Sequence, residues 1–511
     1  RRVVMQGMAE PLLLALDQGT SSSRAVIFDG SGQALASAQV PLPIEYPADG
    51  WVEQDPLAIW SSQLQAMQQL EDQLSPEQRA AVAACGITNQ RETTVLWRSG
   101  DSQPCGPALV WQDRRTASIC RQWQEQPGAE SWQQRTGLVL DPYFSASKVQ
   151  WLLQNNAEAA AAQADGTLRF GTVDSWLLWQ LTGGSVHATD LSNASRTLLL
   201  DLDRGCWLPE ACERVGLTAS ALPELRPCRS RFGCIAEDLP FAGVPITALL
   251  GDQQAASFGQ LCLEPGQAKC TYGTGAFLVI NVGSKPVRAP GGLLSTVGWT
   301  EADGTITYCI EGSLFNAGTV VQWLRDGLGL IPTSAAIEEL AASVDSAGEL
   351  MLVPAFTGWG TPHWDPEARG LMIGLTRDTG PGHIARAALE GIALAVTTLT
   401  QLAEQALGQP LQELAVDGGA AASDLLLQAQ ADSSGVPVRR PDQLESTALG
   451  VALLAGLSAG CLIDLNAVRQ ARAAGSRLFD PAIDAAERER WLQRWESAVH
   501  RCLEWHGDAL R

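Results

Sequence analysis

Residues 12–29 read LLLALDQGTSSSRAVIFD: two apolar runs, the first ending in Asp17, joined by a turn of glycine and hydroxyl residues. That pattern predicts a β-hairpin. Residues 268–282, AKCTYGTGAFLVINV, repeat it with a Gly-Thr-Gly turn. Aligning Asp17-Gln-Gly-Thr with Thr271-Tyr-Gly-Thr separates the two hairpins by about half the chain, which suggests two related lobes. Strand-like runs at 81–88, 245–252 and 411–417 alternate with helical patterns at 253–262, 383–407 and from about Ser423. Alternation of this kind predicts α/β lobes with ligands at strand ends. The expected division is an N-terminal extension over 1–11, one lobe over 12–262 and a second over 263–511.

The chain has 511 residues and a net charge of −21, which argues against a nucleic-acid or anionic-membrane surface. Its only lysines are Lys148, Lys269 and Lys285, and none sits in a Gly-Lys-Ser/Thr or Val-Ala-Ile-Lys setting. A P-loop and a protein-kinase site are therefore absent. Twelve scattered cysteines without a Cys-x-x-Cys pair read as reduced thiols of a cytoplasmic protein. The uncharged run 446–463 reaches spanning length, but its glycines and hydroxyls predict a buried helix. GLSAG at 456–460 lies inside that run without a preceding strand, so it is no nucleophile elbow. GPGHIA at 380–385 reads as a helix start.

Five short segments carry chemistry. In DQGTSSSR (17–24) a carboxylate at a strand end precedes a turn rich in N–H and hydroxyl donors, which suits phosphate oxygens and a Mg²⁺ ion held by Asp17 through water. By itself it is also an ordinary polar turn. TYGTG (271–275) occupies the equivalent place in the other half, and the glycines of VDGGA (416–420) let a flat base approach the backbone. Together the three make a two-sided phosphate clamp with an adenosine shelf. GITNQRETT (86–94) sets Arg91 beside Glu92, donors and acceptors for a vicinal diol, or else a surface ion pair. GDQQ (251–254) offers Asp252 as a base for a hydroxyl nucleophile, or else as a helix cap.

These segments, with WQDRRT (111–116), DPYFSASKVQWLL (141–153), FGTVDSWLLWQLTGG (170–184) and PAFTGWGTPHWDPEARG (354–370), resemble the FGGY carbohydrate kinases from about Leu12 to Gly460. The Asn-Gln-Arg-Glu string resembles the glycerol-phosphorylating branch. The resemblance implies a two-lobed actin-like ATPase fold with a duplicated ribonuclease-H-like core and an interlobe cleft. It implies ATP and Mg²⁺ as cofactors and glycerol as substrate, with Asp252 as general base. Implied glycerol contacts are Arg91, Glu92, Tyr143, Asp252 and Gln253, with Trp111 and Phe277 as apolar walls. Implied nucleotide contacts are Thr20, Ser21, Ser22 and Arg24 on one side, and Thr274, Gly318, Gln322, Gly419 and Ser423 on the other. Ser423 stands where many members of that branch carry asparagine. A homodimer or homotetramer is implied. Segment 231–245 lacks the Gly-rich, Arg-containing loop of a fructose 1,6-bisphosphate site, and 480–495 differs from a known protein-docking patch, so neither regulator is expected.

Overall fold

The computed structural model describes residues 10–289, 291–443, 445–461 and 463–505; residues 1–9 of the expected N-terminal extension lie outside them. The first sheet begins with β1 (Leu12–Gln18), β2 (Ser22–Phe28) and β3 (Ala34–Pro41), an antiparallel meander. Strands β4 (Val82–Asn89), β5 (Arg229–Cys234) and β6 (Pro245–Gly251) complete it in the order β5-β6-β4-β1-β2-β3. β4 runs parallel to β1, and β6 parallel to β4.

The second sheet repeats this plan. β7 (Ala268–Tyr272) and β8 (Ala276–Gly283) form the hairpin, and β9 (Leu294–Thr300) and β10 (Ile306–Leu314) extend it antiparallel. β11 (Leu414–Asp417) and β12 (Val438–Pro441) add on parallel, and β13 (Ser476–Phe479) closes the edge. Both sheets thus place a hairpin beside two parallel strands and end on an antiparallel edge. Asp17 pairs in register with Thr88, and Thr271 with Asp417, so equivalent strand ends carry the candidate phosphate turns.

Helix α1 (Pro56–Gln73) starts on an Asp55 cap with proline in its first turn, and buries Ile59, Ala66, Met67 and Leu70 in the core it shares with the first sheet. Between the sheets lies α2 (Asp252–Gly259). α3 (Pro381–Leu407) and α4 (Asp424–Ser434) pack together in the core of the second sheet. α5 (Ser446–Ser458) comes after most of the second sheet in the chain, yet packs on α2 and the first sheet. Leu13, Ala84 and Leu250 from one sheet and Val279, Trp299 and Cys309 from the other meet around this helix pair. The crossing is backbone to backbone. A Cβ at Gly259 would lie 1.9 Å from the Ser446 carbonyl oxygen, and one at Gly450 1.8 Å from that of Ala255. Only glycine fits either position.

The 446–463 run is thus a buried helix over its first part, and GLSAG falls at its end. No described helix is long and apolar enough to cross a membrane. All twelve cysteines are free.

Candidate active site

A cleft of about 390 Å³ opens at the carboxyl ends of β1, β4, β6, β7 and β11. Its walls bring together Asp17, Thr20, Ser21, Ser22, Arg24, Arg91, Glu92, Trp111, Tyr143, Asp252, Gln253, Thr274, Phe277 and Gly419. A neighbouring cavity of about 480 Å³ shares Gly273, Thr274 and Gly419 with it and adds Gly318, Gln322 and Ser423. Every implied glycerol, nucleotide and Mg²⁺ contact therefore lines one of two adjoining spaces.

Arg91 and Glu92 lie on the connection after β4 and are each only 2% exposed, so the surface ion pair is ruled out. Nor are they each other's main partner, for Arg91 Nε and Glu92 Oε1 are 3.9 Å apart. Glu92 has φ 61, a left-handed conformation costing a non-glycine residue roughly 1–2 kcal/mol. Hydroxyls of Ser145 and Thr94 donate to its carbonyl at 2.8 and 2.9 Å and hold the turn. Arg91 forks onto Glu311 at 2.6 and 2.9 Å and reaches Asp252 Oδ1 at 3.2 Å. Arg196 bridges Glu92 at 2.7 Å and Glu311 at 2.9 Å.

Burial opposes ionisation of Glu311, but Arg196 and Arg91 outweigh it and hold the carboxyl at about 2. Glu92 is raised, because burial outweighs the pull of Arg91 and Arg196. Glu311 and Arg196 were not picked out from the sequence. The one available signal was a single acid in the middle of the apolar strand β10.

Asp252 is the first residue of α2, with Gly251 at the capping position, so it is not the helix cap. Its side chain keeps 28% of its surface open to the cleft. Burial raises its pKa, and Arg91 and Lys269 pull it back. Beneath it, buried Lys269 donates to Gln253 Oε1 and, at 2.8 Å, to Thr271 Oγ1. Thr271 donates to Asp417 at 2.5 Å, and Gln260 Nε2 reaches the other Asp417 oxygen at 3.0 Å. This relay was also missed from sequence. Tyr143, 1% exposed, takes a hydrogen bond from Arg91 Nη2 at 3.3 Å, and burial keeps its hydroxyl protonated. Trp111 stands edge-on to Tyr143 and Phe277, with ring centroids 5.9 and 5.8 Å away, and its Nε1 donates to Thr20 Oγ1 at 2.9 Å.

On the phosphate side, Gly19 N donates to Ser22 O at 2.9 Å, and Gly273 N to Gly275 O at 2.9 Å. Arg24 forms an ion pair with Glu445. Ser423 caps α4, accepting from Leu426 N at 3.1 Å while its hydroxyl donates to Glu338. A Cβ added at Gly419 would meet no atom within 4 Å, so this backbone stays open to the space. Gly318 is tight instead: its Cβ would lie 2.6 Å from the Gly273 carbonyl oxygen.

Asp17 is 6% exposed, and its carboxylate accepts no side-chain or backbone hydrogen bond among the described residues. Burial raises it from 3.8 to about 6; Arg24 lowers it, while Glu445 and Asp252 raise it further. A carboxylate this under-compensated, beside an open cleft, fits a hard divalent cation.

Two duplicated sheets with a polar cleft at their strand ends make a two-lobed α/β fold with its candidate site between the lobes. The FGGY family profiles match, its N-terminal domain over residues 12–259 and its C-terminal domain over 268–459, and the chain belongs to the FGGY family of carbohydrate kinases. It is 48% identical over 504 residues to a glycerol kinase of Bordetella parapertussis, covering 98% of this chain and 99% of the relative. It is 49% identical over 490 residues to a glycerol kinase of Ralstonia nicotianae, covering 95% and 97%. Among solved structures it is similar to Plasmodium falciparum glycerol kinase with ADP, at TM-score 0.87 and 32% identity, over 97% of this chain and 98% of that one.

Proposed function

We propose that this chain transfers the γ-phosphoryl group of ATP to a primary hydroxyl of glycerol, giving sn-glycerol 3-phosphate and ADP. The observation that carries the reading is a set of mostly buried polar side chains and two aromatic rings gathered at one end of the cleft, beside the candidate phosphate turns. These are Arg91, Glu92, Tyr143, Asp252 and Gln253, with Trp111 and Phe277 beside them. Relatives named glycerol kinase over nearly the whole chain support it.

Glycerol's carbons would lie against Trp111 and Phe277. Its hydroxyls would be shared among Arg91, Glu92, Tyr143 and Gln253, and a lost hydroxyl would leave buried groups unpaired. Asp252 would accept the proton of the attacking hydroxyl as its oxygen bonds to the γ-phosphorus and the bond to the departing ADP oxygen breaks. The raised but Arg91-moderated carboxyl suits a base that must be ionised to act and protonated afterwards. Positioning and charge neutralisation supply most of such a reaction.

The 17–24 turn and Arg24 would hold phosphates from one lobe, and Thr274 and Gly419 from the other. The second cavity, with Gly318, Gln322 and Ser423, would take the adenosine. Arg24 would exchange part of its bond to Glu445 for phosphate. Asp17 would hold Mg²⁺ through water; the ion, when bound, supplies charge neutralisation on the phosphates. The lobe over 12–262 would then serve glycerol and phosphate, and 263–511 the nucleotide. The reading sets the protein in the cytoplasm, where ATP is abundant and its free thiols stay reduced.

A coupled ADP-release assay tests it. Turnover should require glycerol, with one glycerol phosphate formed per ADP. ADP release at the same rate without glycerol would refute it.

A further inference from the structure

Away from both spaces described above, a third cavity of about 490 Å³ lies between the 260–267 connection, strands β11 and β12, and helix α6 (Leu465–Ala474). None of its lining residues belongs to the cleft or the adjoining cavity. Four charged side chains face it: Glu413, Arg439, Arg469 and Arg472. Arg439 is spent on Glu413, with Nε 2.6 Å from Oε1.

The other two arginines have only neutral partners among the described residues. Arg469 donates to Asn466 at 3.1 Å, and Arg472 to Gln260 Oε1 at 3.3 Å and Ser446 Oγ at 3.0 Å. Burial lowers the pKa of the Arg472 guanidinium against the pull of Asp417. Neither Arg469 nor Arg472 has a carboxylate partner among the described residues, so an anion in the adjacent space would give both guanidinium groups a counter-charge. Guanidinium forks match phosphate oxygens better than any other common anion donor does. The lining also includes apolar Leu261, Pro265, Pro410 and Pro441.

We infer that this cavity binds a small organic phosphate, its phosphate on Arg469 and Arg472 and its carbon body against the apolar lining. The inference does not depend on the reaction proposed for the cleft.

Calorimetric titration of the full chain with phenyl phosphate and, separately, inorganic phosphate tests it. Wild type should bind phenyl phosphate several-fold more tightly than inorganic phosphate. Arg469→Ala and Arg472→Gln should each weaken phenyl phosphate about tenfold, the loss expected for one charge-assisted contact. Arg469 is exposed on α6, so its replacement leaves the core intact and a folding defect cannot imitate lost binding. No binding to wild type, equal affinity for the two probes, or isotherms unchanged in both variants would overturn the inference.

Discussion

Arg91 on the first sheet's β4 connection and Glu311 on the second sheet's β10 form a two-pronged ion pair, 2.6 and 2.9 Å long, with both side chains at most 2% exposed. Arg196 shares the same carboxylate at 2.9 Å. One carboxylate therefore anchors two guanidinium groups and fixes the side chain that faces Asp252. Removing it takes one carboxylate from two buried cations, leaving Arg196 with Glu92 and Arg91 with Asp252. Glu311→Gln should cost about 3–5 kcal/mol in urea unfolding, the range for breaking a buried pair from one side. A loss under about 1 kcal/mol would mean that the cluster does not join the lobes.

The Asp17 carboxyl gives a pH signature. Folded, it keeps its proton up to about 6, against a reference value of 3.8. Between these values the native state binds more protons than the unfolded chain, so Asp17 makes stability fall as pH rises from about 4 to about 6. The full difference corresponds to roughly 3 kcal/mol. In chelator, Asp17→Asn should flatten that part of the stability profile. An unchanged slope would show that Asp17 ionises freely in the fold.

Lys269 is a positioning residue beneath the cleft. Replacing it with methionine leaves Gln253 Oε1 without its donor and breaks the link through Thr271 to Asp417. The KM for glycerol should rise about tenfold, as for loss of a charge-assisted hydrogen bond, while the KM for ATP changes little. A purely structural role would move both together, or neither.

The hairpins, the duplicated sheets and the strand-end residues Asp17, Arg91 and Asp252 were legible because apolar runs ending in polar turns are local patterns. Partnership was not. Sequence adjacency suggested an Arg91–Glu92 pair, but the left-handed turn at Glu92 sends each side chain to a different neighbour, Glu311 and Arg196. Those partners lie on segments far along the chain; the lone acid in apolar β10 was the one local sign of Glu311, and nothing local marks Arg196. None of the three lysines sits in a P-loop setting, yet Lys269 proves to be buried under the cleft. That role depends on β7 pairing with β11, which only the fold supplies.

Asp252→Asn keeps the size of the side chain and removes its basicity. The variant should lose about 10²–10⁴-fold in kcat. Nucleotide affinity, measured by ADP titration, should stay within about threefold, because no phosphate-side contact is touched. Near-normal turnover would remove Asp252 from the role of base.

The most direct test of the central claim is kcat/KM for ATP-dependent ADP production across glycerol, dihydroxyacetone, erythritol and xylulose. Glycerol should give the highest value, since under the proposed function Arg91, Glu92, Tyr143 and Gln253 would hold its hydroxyls. Xylulose or erythritol in first place would contradict the account and assign the same phosphate machinery to a different sugar.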